Sequence, residues 1–167
     1  MDPKFCSICA TTLRKVEDNL FVCSQNHHIY VDPKPTNAVI IQNDRDEILL
    51  VTRKYDPKAG WLDLPGGFVN LNENLEESLK REVREELGIE LQNWRYFTSN
   101  IEDYEYKGVV SQVINFTFVA RQNLTTWQVG DDISDARFYP KDQIPFEKMA
   151  FPGLKQVLQK FIHHNDI

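Results

Sequence analysis

The chain has 167 residues, 41% of them hydrophobic and 26% charged, a balance that fits one ordinary domain with a small appendage and excludes a disordered chain. A formal net charge of -6 argues against general binding to the nucleic-acid backbone, but it admits a phosphate substrate if cations stand between the two sets of negative charge. The longest aliphatic run, Ala38-Val39-Ile40-Ile41, falls far short of the ~20 apolar residues of a membrane-spanning helix, and no basic start followed by an apolar stretch opens the chain, so a cytoplasmic address is expected.

All three cysteines fall within residues 1–33. An odd count without a secretion signal disfavours a disulfide framework and points to thiols as metal ligands. Cys6-Ser-Ile-Cys9 forms a C-x2-C knuckle, and Cys23 followed by His27 or His28 supplies the other half of a tetrahedral zinc site, with His27 preferred. Phe21-Val22 and Ile29-Tyr30-Val31 are short strand candidates. So small a segment has little apolar core, and bound zinc would contribute its stability directly. The competing reading is a metal-free strand pair with buried thiols. Asp32-Pro33-Lys34-Pro35 then reads as a stiff connector, which divides the chain into an appendage at 1–33 and a main domain at 34–167.

In the main domain, Ala38–Ile41 and Ile48–Thr52 are β-branched runs separated by Asn43-Asp44-Arg45-Asp46, a hairpin in outline. Pro65-Gly66-Gly67 is a turn, with a brief strand at Phe68-Val69 whose phenylalanine is expected in the core. Residues 72–87 carry helical periodicity, with Leu75, Leu79, Val83 and Leu87 four apart and Gly88 as the stop. Trp94–Asn100, Val110–Ala120 and Ala136–Tyr139 read as strands, and Gly153–His163 as a closing amphipathic helix. The expected class is α+β, with helices on a mixed sheet.

On the first helix, Glu82, Glu85 and Glu86 fall within an arc of about 100°, beside the apolar stripe of Leu79, Val83 and Leu87. Like charges at these spacings destabilise a helix unless something neutralises them. A divalent cation with oxygen ligands is a natural partner, since Mg²⁺ pairs a few carboxylates with substrate phosphates. The bland alternative is a solvated acidic face laced by Arg81 and Arg84.

Gly67, Glu73, Arg81, Glu82, Val83, Glu85, Glu86, Gly88 and Ile89 match the Nudix box, G-x5-E-x7-R-E-U-x-E-E-x-G-U, without a mismatch, and Leu64-Pro65-Gly66-Gly67 and Asp132–Phe138 also resemble that family. The resemblance implies an α/β/α sandwich with a mixed sheet. It also implies hydrolysis of a diphosphate linkage by water, with Mg²⁺ or Mn²⁺ held by Glu82, Glu85 and Glu86 and by the Gly66 carbonyl. Arg81 would orient the glutamates, and Glu73 would hold the geometry between loop and helix. A further acidic residue outside the box would be a metal ligand or base: Asp132 first, Asp131 next, with Glu102, Asp103 and Glu105 as rivals on an expected loop.

The cysteine segment is similar to the zinc ribbon that precedes the NADH pyrophosphatase group, except that Asn26 stands where a fourth cysteine would be. That group also carries Ser-Gln-Pro-Trp-Pro-Phe-Pro after the box, whereas residues 99–108 here read Ser-Asn-Ile-Glu-Asp-Tyr-Glu-Tyr-Lys-Gly. The substrate implied is therefore a nucleoside diphosphate derivative of the ADP-ribose or nucleotide-sugar type, with NAD(H) next. Tyr104 and Tyr106 are candidates to stack on its base or ribose. The alternative is a catalytically silent nucleotide-sensing or partner-binding module. A ribbon that reads nucleic acid ranks third, and homodimerisation stays open.

Overall fold

The computed structural model describes residues 2–130 and 132–163. It opens with an antiparallel three-stranded sheet, β1 (Leu13–Lys15), β2 (Leu20–Cys23) and β3 (His28–Tyr30), in sequential order. Leu20 and Phe21, together with the thiols of Cys6 and Cys23, are most of what this small unit buries.

The larger sheet has seven strands: β4 (Lys34–Gln42), β5 (Ile48–Arg53), β6 (Leu62–Asp63), β7 (Gly66–Phe68), β8 (Trp94–Tyr106), β9 (Val109–Arg121) and β10 (Ile133–Tyr139). Its order is β10-β5-β4-β9-β8, with β6 on β5 and β7 on β4. β4 and β9 pair in parallel and the other pairs are antiparallel, so the sheet is mixed, as expected. Helix α1 (Leu75–Leu87) and helix α2 (Pro152–His163) complete the domain.

Alternation along the central strands explains the layering. Ala38, Ile40, Ile48 and Leu50 face Leu154, Val157, Leu158 and Phe161 of α2, whereas Val39, Ile41, Leu49 and Val51 face Leu79, Val83 and Leu87 of α1. Side chains two apart on a strand share a face, so the continuous apolar runs in β4 and β5 serve two cores at once. The result is a helix–sheet–helix sandwich.

Three boundaries differ from the sequence reading. The connector at Pro33-Lys34-Pro35 runs into β4, which begins at Lys34. Helix α1 starts later than position 72, because Asn72 takes a left-handed φ of 66° and Asn74 is the N-cap in a reciprocal capping box with Glu77. The polar segment after Asn100 is not a loop. β8 runs on to Tyr106, held in register against β9 from Ile101↔Ile114 to Tyr106↔Val109.

Candidate active site and metal-binding cluster

A cavity of about 340 Å³ opens where α1, the turn between β6 and β7, β8 and the start of α2 meet the sheet. Glu82, Glu86, Asp132, Asp63 and Glu102 all line it. So do Tyr104, Phe68 and Phe151, together with Asn37, Gly66 and Gly67.

The acidic end is built by close backbone approach. Gly66 lies opposite Ala38 and Gly67 opposite Asn37 in the β4–β7 pair. At Gly66 a Cβ would sit 2.2 Å from the Asn37 carbonyl oxygen, and φ is +145°, so only glycine fits without strain. At Gly67 a Cβ would meet the Glu82 carboxylate at 2.5 Å. The two glycines thus let the helix lay its carboxylates against the turn. The Gly66 N–H donates to Glu86 Oε2 at 3.0 Å. At the other end of α1, Gln128 N–H and Gly130 N–H donate to the carbonyls of Leu87 and Glu86. These bonds satisfy helix-end acceptors and bring the following chain, with Asp132, to the cavity.

Arg81 organises the rim. Its Nε donates to Glu73 Oε1 at 2.5 Å and its Nη1 to Glu82 Oε1 at 2.9 Å and Glu85 Oε2 at 2.8 Å. Its Nη2 reaches Glu73 Oε2 and the Phe68 carbonyl. These bonds hold the Glu73 carboxyl down at about 2. Glu82 and Glu86 move the other way. Burial pushes the Glu82 carboxyl up against the opposing pull of Arg81. Burial pushes Glu86 well above the usual carboxylate range, with Glu82, Asp63 and Asp132 adding repulsion. Glu86 is only 8% exposed.

The residues singled out from the sequence fall in different places. Glu85 is 58% exposed at its side chain, bonded to Arg81, and outside the cavity lining. Tyr104 lines the cavity but Tyr106 does not. Tyr106 lies toward the hairpin tip, under the Lys107 ammonium. Phe68 is not core: it is 36% exposed and packs edge-on to Tyr104 with ring centroids 5.4 Å apart. Glu102 sits on β8 rather than a loop, and it accepts from Gly153 N–H at the start of α2. Asp103 and Glu105 border a separate surface pocket. Asp131 lies outside the described residues. The Gly66 contact present is through its N–H, to Glu86.

The sequence reading missed Asp63 and Arg53. Asp63 is buried on β6, accepts from Arg53 Nη1 at 2.9 Å, and is pushed by burial up to about 6. Nothing in the local pattern marks either residue; their pairing follows from the β5–β6 register.

The site fits a hard divalent cation by its donor set. Glu82 and Glu86 face each other's charge in one cavity, and among the described residues Asn37 Oδ1, on the same cavity wall, is buried without a hydrogen-bond partner. Oxygen ligands of this kind suit Mg²⁺ or Mn²⁺.

The cysteine cluster is equally compact. The ligand atoms of Cys6, Cys9, Cys23 and His27 all lie within 4.8 Å of one another. Cys9 and Cys23 sulfurs are 3.7 Å apart, and His27 Nδ1 is 3.6 Å from both Cys6 and Cys23 sulfurs. A tetrahedral centre with metal–sulfur bonds near 2.3 Å has edges of about 3.8 Å. Ile8 N–H and His27 N–H point at the Cys6 and Cys23 sulfurs. Asn26 takes a φ of 60°, which turns His27 inward, while His28 is exposed in β3.

The comparisons with known proteins agree with this geometry. The family model described as NUDIX domain matches residues 32–161, and the chain belongs to that family. It is 31% identical over 163 residues to a NAD-capped RNA hydrolase NudC of Haemophilus influenzae, covering 96% of this chain and 59% of the relative. It is 32% identical over 129 residues to an ADP-ribose pyrophosphatase of Methanocaldococcus jannaschii, covering 76% of this chain and 72% of that one. The chain thus spans less than two thirds of the length of the NudC relatives it matches, 59% for those of Haemophilus influenzae. A NUDIX hydrolase structure from Nitrosomonas europaea superposes with a TM-score of 0.69 at 24% identity, over 98% of this chain and 94% of that one.

The strain at Glu86 has a measurable sign. Folding raises its pKa above the ordinary 4.5, so its cost is absent below that pH and grows as pH climbs toward the folded value. In protein stripped of divalent ions, Glu86→Gln is expected to raise the thermal midpoint at pH 8 by about 3 °C, roughly 1 kcal/mol for a chain of this size. The gain over wild type should shrink toward pH 4.5. A variant that melts at or below the wild-type temperature at pH 8 would refute the strained-carboxylate account.

Proposed function

We propose that the chain is a divalent-metal-dependent hydrolase that cleaves the diphosphate linkage of a nucleoside diphosphate derivative, with ADP-ribose as the favoured type, nucleotide sugars next, and NAD(H) after them. The observation that carries this reading is the pair of half-buried Glu82 and buried Glu86 in one cavity with an aromatic wall. Carboxylates and aromatic rings line the same cavity, which suits the phosphate and nucleoside parts of such a substrate. The names of the relatives, an ADP-ribose pyrophosphatase and NAD-capped RNA hydrolases, support the same substrate class. A cytoplasmic address is part of the proposal. Among the described residues no helix is long and apolar enough to cross a membrane.

In this reading Glu82, Glu85 and Glu86 hold Mg²⁺ or Mn²⁺, and the Gly66–Gly67 turn fixes where they converge. The bound cation would neutralise phosphate charge and lower the pKa of an attacking water. Arg81 keeps the carboxylates in place through its fork of hydrogen bonds, with Glu73 as its anchor. Asp132, on the cavity wall, accepts the proton of the water as its oxygen bonds to phosphorus. The bridging phosphorus–oxygen bond breaks, and nucleoside monophosphate leaves with the second phosphomonoester. Tyr104, Phe68 and Phe151 offer rings to the base. A silent binding module would have no need for two carboxylates held together against their own repulsion, and the box glutamates are all present.

With Mg²⁺ the protein is expected to release AMP from ADP-ribose. Glu85→Gln and Glu86→Gln should each lower that turnover by on the order of 100-fold or more, and unchanged turnover in both would remove the metal assignment.

We also propose that Cys6, Cys9, Cys23 and His27 bind structural zinc, forming a ribbon over residues 1–33 ahead of the catalytic domain at 34–167. Protein purified without chelator should contain about one zinc per chain by emission spectrometry, and Cys23→Ser should lose it. Less than about a tenth of an equivalent in the unaltered protein would contradict this site.

A further inference from the structure

Among the described residues, Arg53 is the only lysine, arginine or histidine that lines the main cavity, whose other charged side chains are all carboxylates. A polyanion entering such a space meets repulsion everywhere except at bound cations and at this guanidinium. Arg53 is also held in place. Its Nη1 donates to buried Asp63 at 2.9 Å, its Nε donates to the Pro57 carbonyl at 2.7 Å, and its plane lies over the Phe151 ring at 5.0 Å.

Its neighbours come from both groups of residues that line the cavity, the acids and the rings. Among the acids, its partner Asp63 is close enough to Glu86 for their charges to interact. Among the rings, Arg53 itself acts on the Tyr104 phenol and stacks on Phe151. A nucleoside diphosphate with its base on the rings and its scissile phosphate at Glu82 and Glu86 would hold its nucleoside-side phosphate in the same cavity as this guanidinium, next to the Phe151 ring on which Arg53 lies.

We infer that Arg53 is the protein's own phosphate-binding residue, gripping the phosphoryl group next to the nucleoside, and that buried Asp63 is the positioning residue that aims it. The inference rests on the substrate class proposed above, but it does not depend on the catalytic metal. An arginine fork matches phosphate oxygens in a way a point charge does not. Burying Asp63 without Arg53 would be costly, so Asp63 holds the guanidinium at the cavity wall.

The test measures binding of AMP and of adenosine to the full, zinc-loaded chain by calorimetry in buffer freed of Mg²⁺ and Mn²⁺, so that no catalytic metal contributes. Wild-type protein should bind AMP about tenfold more tightly than adenosine. Arg53→Lys, which keeps the charge beside Asp63, should narrow that ratio, and the double variant Arg53→Met with Asp63→Asn, which leaves no orphaned charge, should abolish it. Asp63→Asn alone should narrow it, with AMP losing more affinity than adenosine. If the folded double variant still prefers AMP as wild type does, the role of Arg53 is overturned while the proposed substrate class survives. If wild-type protein binds neither molecule, the nucleoside-site reading fails, and this inference with it.

Discussion

The feature on which the rest of the structure turns is the burial of the Glu86 carboxylate against a single backbone N–H. Among the described residues Gly66 N–H is its one hydrogen bond, and Glu82, Asp63 and Asp132 all add to its burden. Such an arrangement is unfavourable without a cation, and it survives because the remainder of the domain over-determines it. Two cores, one on each face of β4 and β5, clamp the sheet, and α1 has no freedom to swing its acidic edge away. The turn at Gly66-Gly67 then brings backbone where side chains would otherwise stand.

Arginine is deployed in two different ways around this point. Arg81 spends its donors on the rim carboxylates and on the Phe68 carbonyl, so it fixes geometry rather than meeting substrate. Arg53 keeps its guanidinium on the cavity wall, paired with one buried acid. The same charge therefore stiffens the site in one place and receives ligand in the other.

Much of this was legible in the sequence because it is written in local spacing. The period of Leu75, Leu79, Val83 and Leu87 gives the buried face of α1, and the box residues give the carboxylate edge beside it. The knuckle at Cys6 and Cys9 is local too, and its partner His27 follows from the short reach from Cys23. What was hidden depends on pairing between distant segments. The acidic stretch at 101–106 looks like a loop until β9 pairs with it, and only then do Glu102 and Tyr104 share one face while Asp103 and Glu105 take the other. Asp63 reads as an ordinary acid in a turn-rich stretch until the β5–β6 register sets it beside Arg53. Phe68 reads as core because it is aromatic and next to a turn, yet that turn faces the cavity.

Diffraction at the manganese absorption edge, from crystals grown with Mn²⁺, tests the central claim most directly. An anomalous peak inside the cavity, in contact with carboxylate oxygens of both Glu82 and Glu86, is the result this account predicts. Peaks confined to outer surface carboxylates, with Glu86 still resting on Gly66 alone, would contradict it.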